Sequence, residues 1–187
     1  NYIELRQMLR AAGYAIKTQT DTEVVAHLFE MNYKGDAVQA LRETVKLLRG
    51  SYALAVISAD APQELVCTRH DNPLIIGLGK NENLIASDIP AIIAVTKRYI
   101  VLGDDEVARV RADGVEIVNA LGDRIEKEVN TVQWDIAAAE KGGYEHFMIK
   151  EIMEQPRAVR DTVAPRIKDG LPDLSQAGFE PGYFKNV

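Results

Sequence analysis

Residues 52–59, Tyr-Ala-Leu-Ala-Val-Ile-Ser-Ala, are where the chain changes its period. The run is short, apolar and rich in β-branched side chains, the signature of a strand rather than an amphipathic helix. Residues 65–69, 74–78 and 83–86 repeat it, parted by Asp71-Asn72-Pro73 and Gly79-Lys80-Asn81. Residues 99–102, 106–111, 115–119 and 125–132 read as further strands, with Asp113-Gly114 as a hairpin turn. The connections are too short for the crossovers that parallel strands need, so the sheet is predicted to be antiparallel. Residues 88–95 predict a short helix, with Pro90 tolerated in its first turn.

Upstream of this region the period is helical. Residues 3–12 place Leu5, Met8, Leu9 and Ala12 on one stripe, and Gly13 stops it. Thr20-Asp21-Thr22-Glu23 has the form of a capping box, with Thr20 at the N-cap and Glu23 at N3. The helix it opens is predicted to reach Tyr33 with Val24, Leu28 and Met31 inward, before Gly35. A third helix over residues 37–49 carries Leu41, Val45 and Leu48. Downstream, residues 143–154 turn helical again. Pro156 should end or kink that helix, and a second piece extends toward Ile167. Residues 171–187 read as a tail or linker. Helices, then antiparallel strands, then helices define an α+β layered fold.

Composition narrows the function. The 187 residues are 47% hydrophobic and 27% charged, enough apolar surface for a core. Twenty-two basic against 28 acidic residues give a net charge of −6, with no basic run. That argues against nucleic acid and against an anionic membrane as partners. A single cysteine excludes an internal disulfide framework and a multi-cysteine zinc site. No apolar run approaches the ~20 residues of a membrane helix, and no charged-then-apolar leader is seen, so the expected setting is cytoplasmic. The chain opens on Asn1 and is expected to be a fragment.

Asp21 has two readings. An acidic side chain in a first helical turn is favoured by the helix dipole. A carboxylate held ionised at a rigid helix start can also grip a ligand's ammonium group. Cys67 reads as a small buried hydrophobe, or as a thiol needing a base. His70, three residues on, should point to the opposite face of the strand, which leaves a distant partner such as His27. His146, Lys150, Glu151 and Glu154 share a late helix, as a polar face or as weak metal ligands. Gly77-Leu78-Gly79 reads as a hairpin rather than a phosphate loop.

Several segments, taken together, resemble one family. They are Gly13-Tyr14; Thr20-Asp21-Thr22-Glu23-Val24 with Ala26-His27-Leu28; Leu48-Arg49-Gly50-Ser51-Tyr52-Ala53; Pro73 through Gly79; Ile85-Ala86-Ser87-Asp88; and Lys141 through Met148, continuing to Pro156. In order and spacing the chain is similar to the glutaminase half of the glutamine–fructose-6-phosphate aminotransferases, which are class II glutamine amidotransferases. The resemblance implies an N-terminal-nucleophile (Ntn) hydrolase fold, a four-layer αββα sandwich of antiparallel sheets, lacking its N-terminal strands. Residues 1–170 would be the C-terminal part of the glutaminase domain, and residues 171–187 a linker toward a sugar-isomerase domain.

The family's nucleophile is an N-terminal cysteine, and an Asn-Gly pair forms its oxyanion hole. Both would lie upstream of Asn1, together with the arginine that binds the substrate carboxylate, so the 187 residues alone should be inactive. Asp21 is the residue that carries over, binding the α-ammonium group of glutamine, with Thr20 and Glu23 supporting it. The late helix would lie near the junction with the isomerase domain. The resemblance further implies glutamine as substrate, a homodimer formed largely through the isomerase half, and no cofactor or metal. Two alternatives stand beside it: the glutaminase domain of another class II enzyme such as amidophosphoribosyltransferase, and a non-catalytic module of the same fold.

Overall fold

In the computed structural model, residues 1–133 and 142–173 are described. The chain forms two compact units, residues 1–134 and 135–187. Three helices open the first: α1 (Tyr2–Ala11), α2 (Glu23–Asn32) and α3 (Ala37–Val45). Nine strands follow: β1 (Tyr52–Ser58), β2 (Ala61–His70), β3 (Ile75–Leu78), β4 (Asn83–Ala86), β5 (Arg98–Val101), β6 (Val107–Arg111), β7 (Gly114–Val118), β8 (Arg124–Ile125) and β9 (Asn130–Thr131). They make a five-stranded sheet in the order β1-β2-β6-β7-β8 and a four-stranded sheet in the order β4-β3-β5-β9. Every named pairing is antiparallel, as expected.

Strand alternation sorts the core into two layers. On β2 and β6, Val66 and Val107 face the helices, where they meet Phe29, Ala40 and Leu41. Their neighbours Cys67 and Ala108 face the second sheet, where they meet Ile76, Ile100 and Leu102. Gly77, one residue past Ile76, therefore looks outward, and a Cβ there would come within 3.1 Å of Ile92 and Thr96. The segment around Ile92 and Ile93 thus covers the outer face of the four-stranded sheet, and both residues are buried.

β1 breaks the rule of two covered faces. Leu54 and Val56 pack toward the helices. Ala53, Ala55 and Ile57 point to the inter-sheet side and are exposed, Ile57 to 78%. Among the described residues the four-stranded sheet does not extend over them, and β1 has one unpaired edge.

Several expectations need correcting. The helix over residues 88–95 is a series of turns. Its backbone bonds come as two separate turns, Ile92 and Ile93 N–H to the Ile89 carbonyl and Val95 and Thr96 N–H to the Ile92 carbonyl, so three- and four-residue reaches mix and no run of consecutive α-helical bonds forms. The strand over residues 125–132 is two strands, β8 and β9, in different sheets, because the chain crosses between the sheets there. Lys127 is tied on that crossing to Glu106, at 2.9 Å. Met31 is 38% exposed; Val25 and Phe29 lie inward instead. α3 stops at Val45, with turns through Leu48 rather than helix to Arg49.

The second unit contains α4 (Phe147–Val163), a 3₁₀ turn over Ala164–Arg166, and a two-residue hairpin, β10 (Ile167–Lys168) with β11 (Leu171–Pro172). Pro156 lies inside α4 and does not end it. Lacking an N–H, it leaves one helical carbonyl without its usual donor while the apolar periodicity continues. Lys141 of the late segment and most of the expected tail, residues 174–187, lie outside the described residues.

The two faces of the sandwich predict unequal sensitivities. Ile76→Ala, which removes a fully buried side chain from between the sheets, should cost about 2–5 kcal/mol of unfolding free energy. Ile57→Ser, on the bare face of β1, should change the stability of the 187-residue chain by no more than about 0.5 kcal/mol. Urea unfolding of both variants checks this.

Candidate functional site

Asp21 sits on the bend between α1 and α2, one residue before the α2 N-cap, Thr22. Its Oδ1 lies 3.3 Å from the Thr22 hydroxyl and 3.5 Å from the Thr20 hydroxyl. No ion pair engages it among the described residues. The carboxylate is therefore oriented by neutral donors and keeps acceptor capacity for a cation. Arg6 of α1 holds the same bend, donating to the Thr20 carbonyl at 2.8 Å.

The capping box is not formed. Thr20 Oγ1 instead accepts from the Thr22 N–H at 3.3 Å, a local turn bond two residues on. Glu23 turns toward the preceding loop. Its two carboxylate oxygens accept from the Lys17 and Thr18 N–H groups, both at 2.7 Å, and from the Thr18 hydroxyl. Charge-assisted bonds to three donors prevail over the single N–H that a capping box offers. The Thr18 hydroxyl first, then the Lys17 N–H, bring the Glu23 carboxyl down from 4.5 to about 2. Glu23 thus braces the segment that delivers Asp21.

Asp21 lines a cavity of about 300 Å³ with Asn1, Tyr2, Thr22, Ser51 and Tyr52. Asn1 closes one side as a clasp: its side-chain amide donates to the Leu47 carbonyl and accepts from the Arg49 N–H, both at 3.0 Å. That clasp fixes the start of α1 beside the entry to β1. Asn1 carries no sequence signal for this role, because no local pattern marks a contact across 46 residues.

The other candidates separate. Cys67 is fully buried between the sheets, and burial pushes its thiol up to about 12. A thiol so placed is inert as a nucleophile. His70 points away from it, as alternation requires, and its Nδ1 lies 3.0 Å from Asp105. Tyr52 stacks on the His70 ring at 5.8 Å, with its hydroxyl 3.5 Å from the same Asp105 oxygen. Desolvation first, then the Asp105 charge, raises the Tyr52 phenol to about 12, so it remains a neutral donor. Asp105, adopting φ of 60°, was also not singled out. His27 lies on α2 between Glu23 and Glu30, at 3.7 and 3.5 Å, beside the Tyr14 ring. Gly77-Leu78-Gly79 belongs to the β3–β4 hairpin, with Leu78 opposite Asn83.

On α4, His146 is the N-cap, and Lys150, Glu151 and Glu154 follow along the helix. No group of three His, Cys, Asp or Glu side chains able to hold a metal occurs among the described residues. No helix among them is long and apolar enough to cross a membrane.

A family model described as "Glutamine amidotransferase domain" matches residues 1–94. The glutamine–fructose-6-phosphate aminotransferase [isomerizing] of Aquifex aeolicus (strain VF5) is 49% identical over 163 residues, 87% of this chain and 28% of that protein. The protein of the same name from Caldanaerobacter subterraneus is 50% identical over 167 residues, 89% of this chain and 28% of its own length. The chain therefore spans little more than a quarter of these relatives. Among solved structures, the glutamine phosphoribosylpyrophosphate amidotransferase from B. subtilis superposes with a TM-score of 0.56. It shares 24% identity over 64% of this chain and 27% of that one, a likeness of fold.

Glu23 gives the region a pH signature. Its carboxyl is lowered on folding, so its bonds stabilise the fold fully above the ordinary value of 4.5 and are lost as pH falls from there through about 2. Glu23→Gln should lower the urea midpoint at neutral pH and flatten the acid limb of stability across that window. Midpoints measured from neutrality down to the acid end check it.

Proposed function

The chain belongs to the glutamine amidotransferase domain family, and from that footing we propose that it is the substrate-gripping part of a glutaminase. In this reading the longer protein releases ammonia from glutamine and transfers it to fructose 6-phosphate, giving glutamate and glucosamine 6-phosphate. The observation that carries the reading is the 49–50% identity, over 87–89% of the chain, to relatives named for that reaction.

Asp21 receives the α-ammonium group of glutamine. Among the described residues its carboxylate has no cation of its own, and the Thr20 and Thr22 hydroxyls orient it. Thr20 and Glu23 act through position: one fixes the turn, the other ties the loop on which the turn stands. The nucleophile, an N-terminal cysteine, and its Asn-Gly oxyanion donors belong to residues before Asn1. The cysteine's α-amino group takes the thiol proton, and the thiolate attacks the side-chain amide carbon of glutamine. The tetrahedral adduct expels ammonia and leaves a thioester, which water hydrolyses to glutamate and free thiol.

Two features support a supply from upstream. Among the described residues the one thiol is sealed in the core. The clasp on Asn1 seats the start of α1 against Leu47 and Arg49, just before β1, whose inter-sheet side is exposed among the described residues. The same reading has residues 171–187 lead toward a sugar-isomerase domain, through which the protein dimerises. It places the protein in the cytoplasm, a setting that agrees with an unpaired cysteine.

Ammonia release from glutamine by the full-length protein, with and without fructose 6-phosphate, tests the reading. Activity should rise with the sugar phosphate. Asp21→Asn should raise the KM for glutamine about tenfold or more, the scale of a lost hydrogen bond to a charged group. Hydrolysis by residues 1–187 alone would overturn the placement of the nucleophile. A requirement for a ribosyl pyrophosphate acceptor would move the protein to the other class II branch, and no hydrolysis from an intact N-terminus would make it a binding module.

A further inference from the structure

A second cavity, of about 380 Å³, lies beside the one that holds Asp21, and Leu48, Arg49 and Tyr52 line both. It opens between the end of α3 and the end of the five-stranded sheet, and the proposed chemistry makes no use of it. Its lining is cationic in a chain of net charge −6: Arg42, Lys46 and Arg49 stand against a single carboxylate, Asp105. That carboxylate is already engaged by His70 and by the Tyr52 hydroxyl.

The cations keep donors in hand. Arg49 has no side-chain hydrogen bond or ion pair among the described residues; its backbone N–H alone is held, by Asn1. Lys46 is joined to Glu43 at 2.7 Å, a pair that is 57% and 37% exposed and so weakly held against a competing anion. Arg42 donates to Gln39 at 2.9 Å and to the Ala120 carbonyl at 3.0 Å, and its Nε is buried without a partner. Val45, Leu48 and the Tyr52 ring add an apolar wall. An excess of positive charge beside such a wall suits a dianion carried on a compact organic body.

We propose that this cavity is a binding site for a small phosphate monoester, with Arg49 and Lys46 holding the phosphate and Val45, Leu48 and Tyr52 packing on the body. The site is distinct from the glutamine cavity and shares only its wall. Its occupancy is read without glutamine, so the test stands apart from the glutaminase reading.

Phenyl phosphate, a dianion on an apolar ring, is the probe, titrated calorimetrically into the full-length protein at pH 7.5 and low salt. One saturable component should weaken by about tenfold in Lys46→Glu, where a like charge faces the phosphate. The same component should tighten by about two- to threefold in Glu43→Gln, which frees Lys46. That gain cannot come from misfolding. Lys80→Glu, on the β3–β4 loop, should leave it unchanged, and phenol should not compete for it. A phosphate site elsewhere in the longer protein would give a component that none of these changes touches. The proposal is overturned if no component responds to both Lys46→Glu and Glu43→Gln, if Lys80→Glu weakens it as much as Lys46→Glu does, or if phenol competes equally.

Discussion

The register of β2 against β6 is the constraint on which the first unit depends. Val66 stands opposite Arg109 and Cys67 opposite Ala108, so the two central strands present one set of side chains to the helices and the next to the second sheet. A slip of one residue would exchange the sets and turn Arg109 into the inter-sheet core. Arg109 instead reaches Asp36 at 2.9 Å, Glu64 at 3.2 Å and Glu116 at 3.3 Å on the helix side. Asp36 is also the N-cap of α3, accepting from the Gln39 N–H at 2.9 Å. The same register therefore seats α3, and α3 in turn walls the cationic cavity.

Around that frame, the loop that carries Asp21 and the segment that leads into Tyr52 are held by polar clasps rather than by burial. Asn1 bonds across to residues 47 and 49, Arg6 to the Thr20 carbonyl, and Glu23 to Lys17 and Thr18. Each clasp satisfies backbone groups that a turn leaves open; Asn1 and Glu23 do so from helix starts and Arg6 from within α1. Asp21 is thereby positioned by its neighbours without being neutralised by one. A carboxylate needs that combination to bind a cationic group: a cation already at hand would occupy it, and a free rotamer would cost entropy on binding.

Helix and strand positions were largely legible because their signals are local. Alternation in β2 and β6, the Asp113-Gly114 turn and the stripe of α1 all act within a few residues. The misreadings share a cause in tertiary competition. Glu23 had three donors behind it that a four-residue pattern does not contain. Residues 125–132 look like one strand until two sheets compete for the two ends. Of the two readings of Pro156, a helix end or a kink, the end is excluded because α4 runs through it. For the site, the acidic helix start draws attention to Asp21, while the hydrogen bonds of the Asn1 clasp and of the Tyr52–His70–Asp105 cluster join residues 35 to 53 positions apart. The family resemblance supplied a role for Asp21 that residue chemistry alone had left open.

β1 shows what the rest of the fold withholds elsewhere. Its helix side is packed, while among the described residues its other side is bare and one edge is unpaired. An exposed apolar strand of this kind is an association hazard unless something pairs with it. Proteins commonly protect such edges with charge or proline, but β1 reads Tyr-Ala-Leu-Ala-Val-Ile-Ser, with neither. The absence of protection on the strand next to the Asp21 cavity argues that this edge is normally occupied. The Asn1 clasp on Leu47 and Arg49 holds the start of α1 beside the residues that open β1. Ser51 and Tyr52, at the opening of β1, line the Asp21 cavity, so whatever covers this strand also bears on the wall of that cavity.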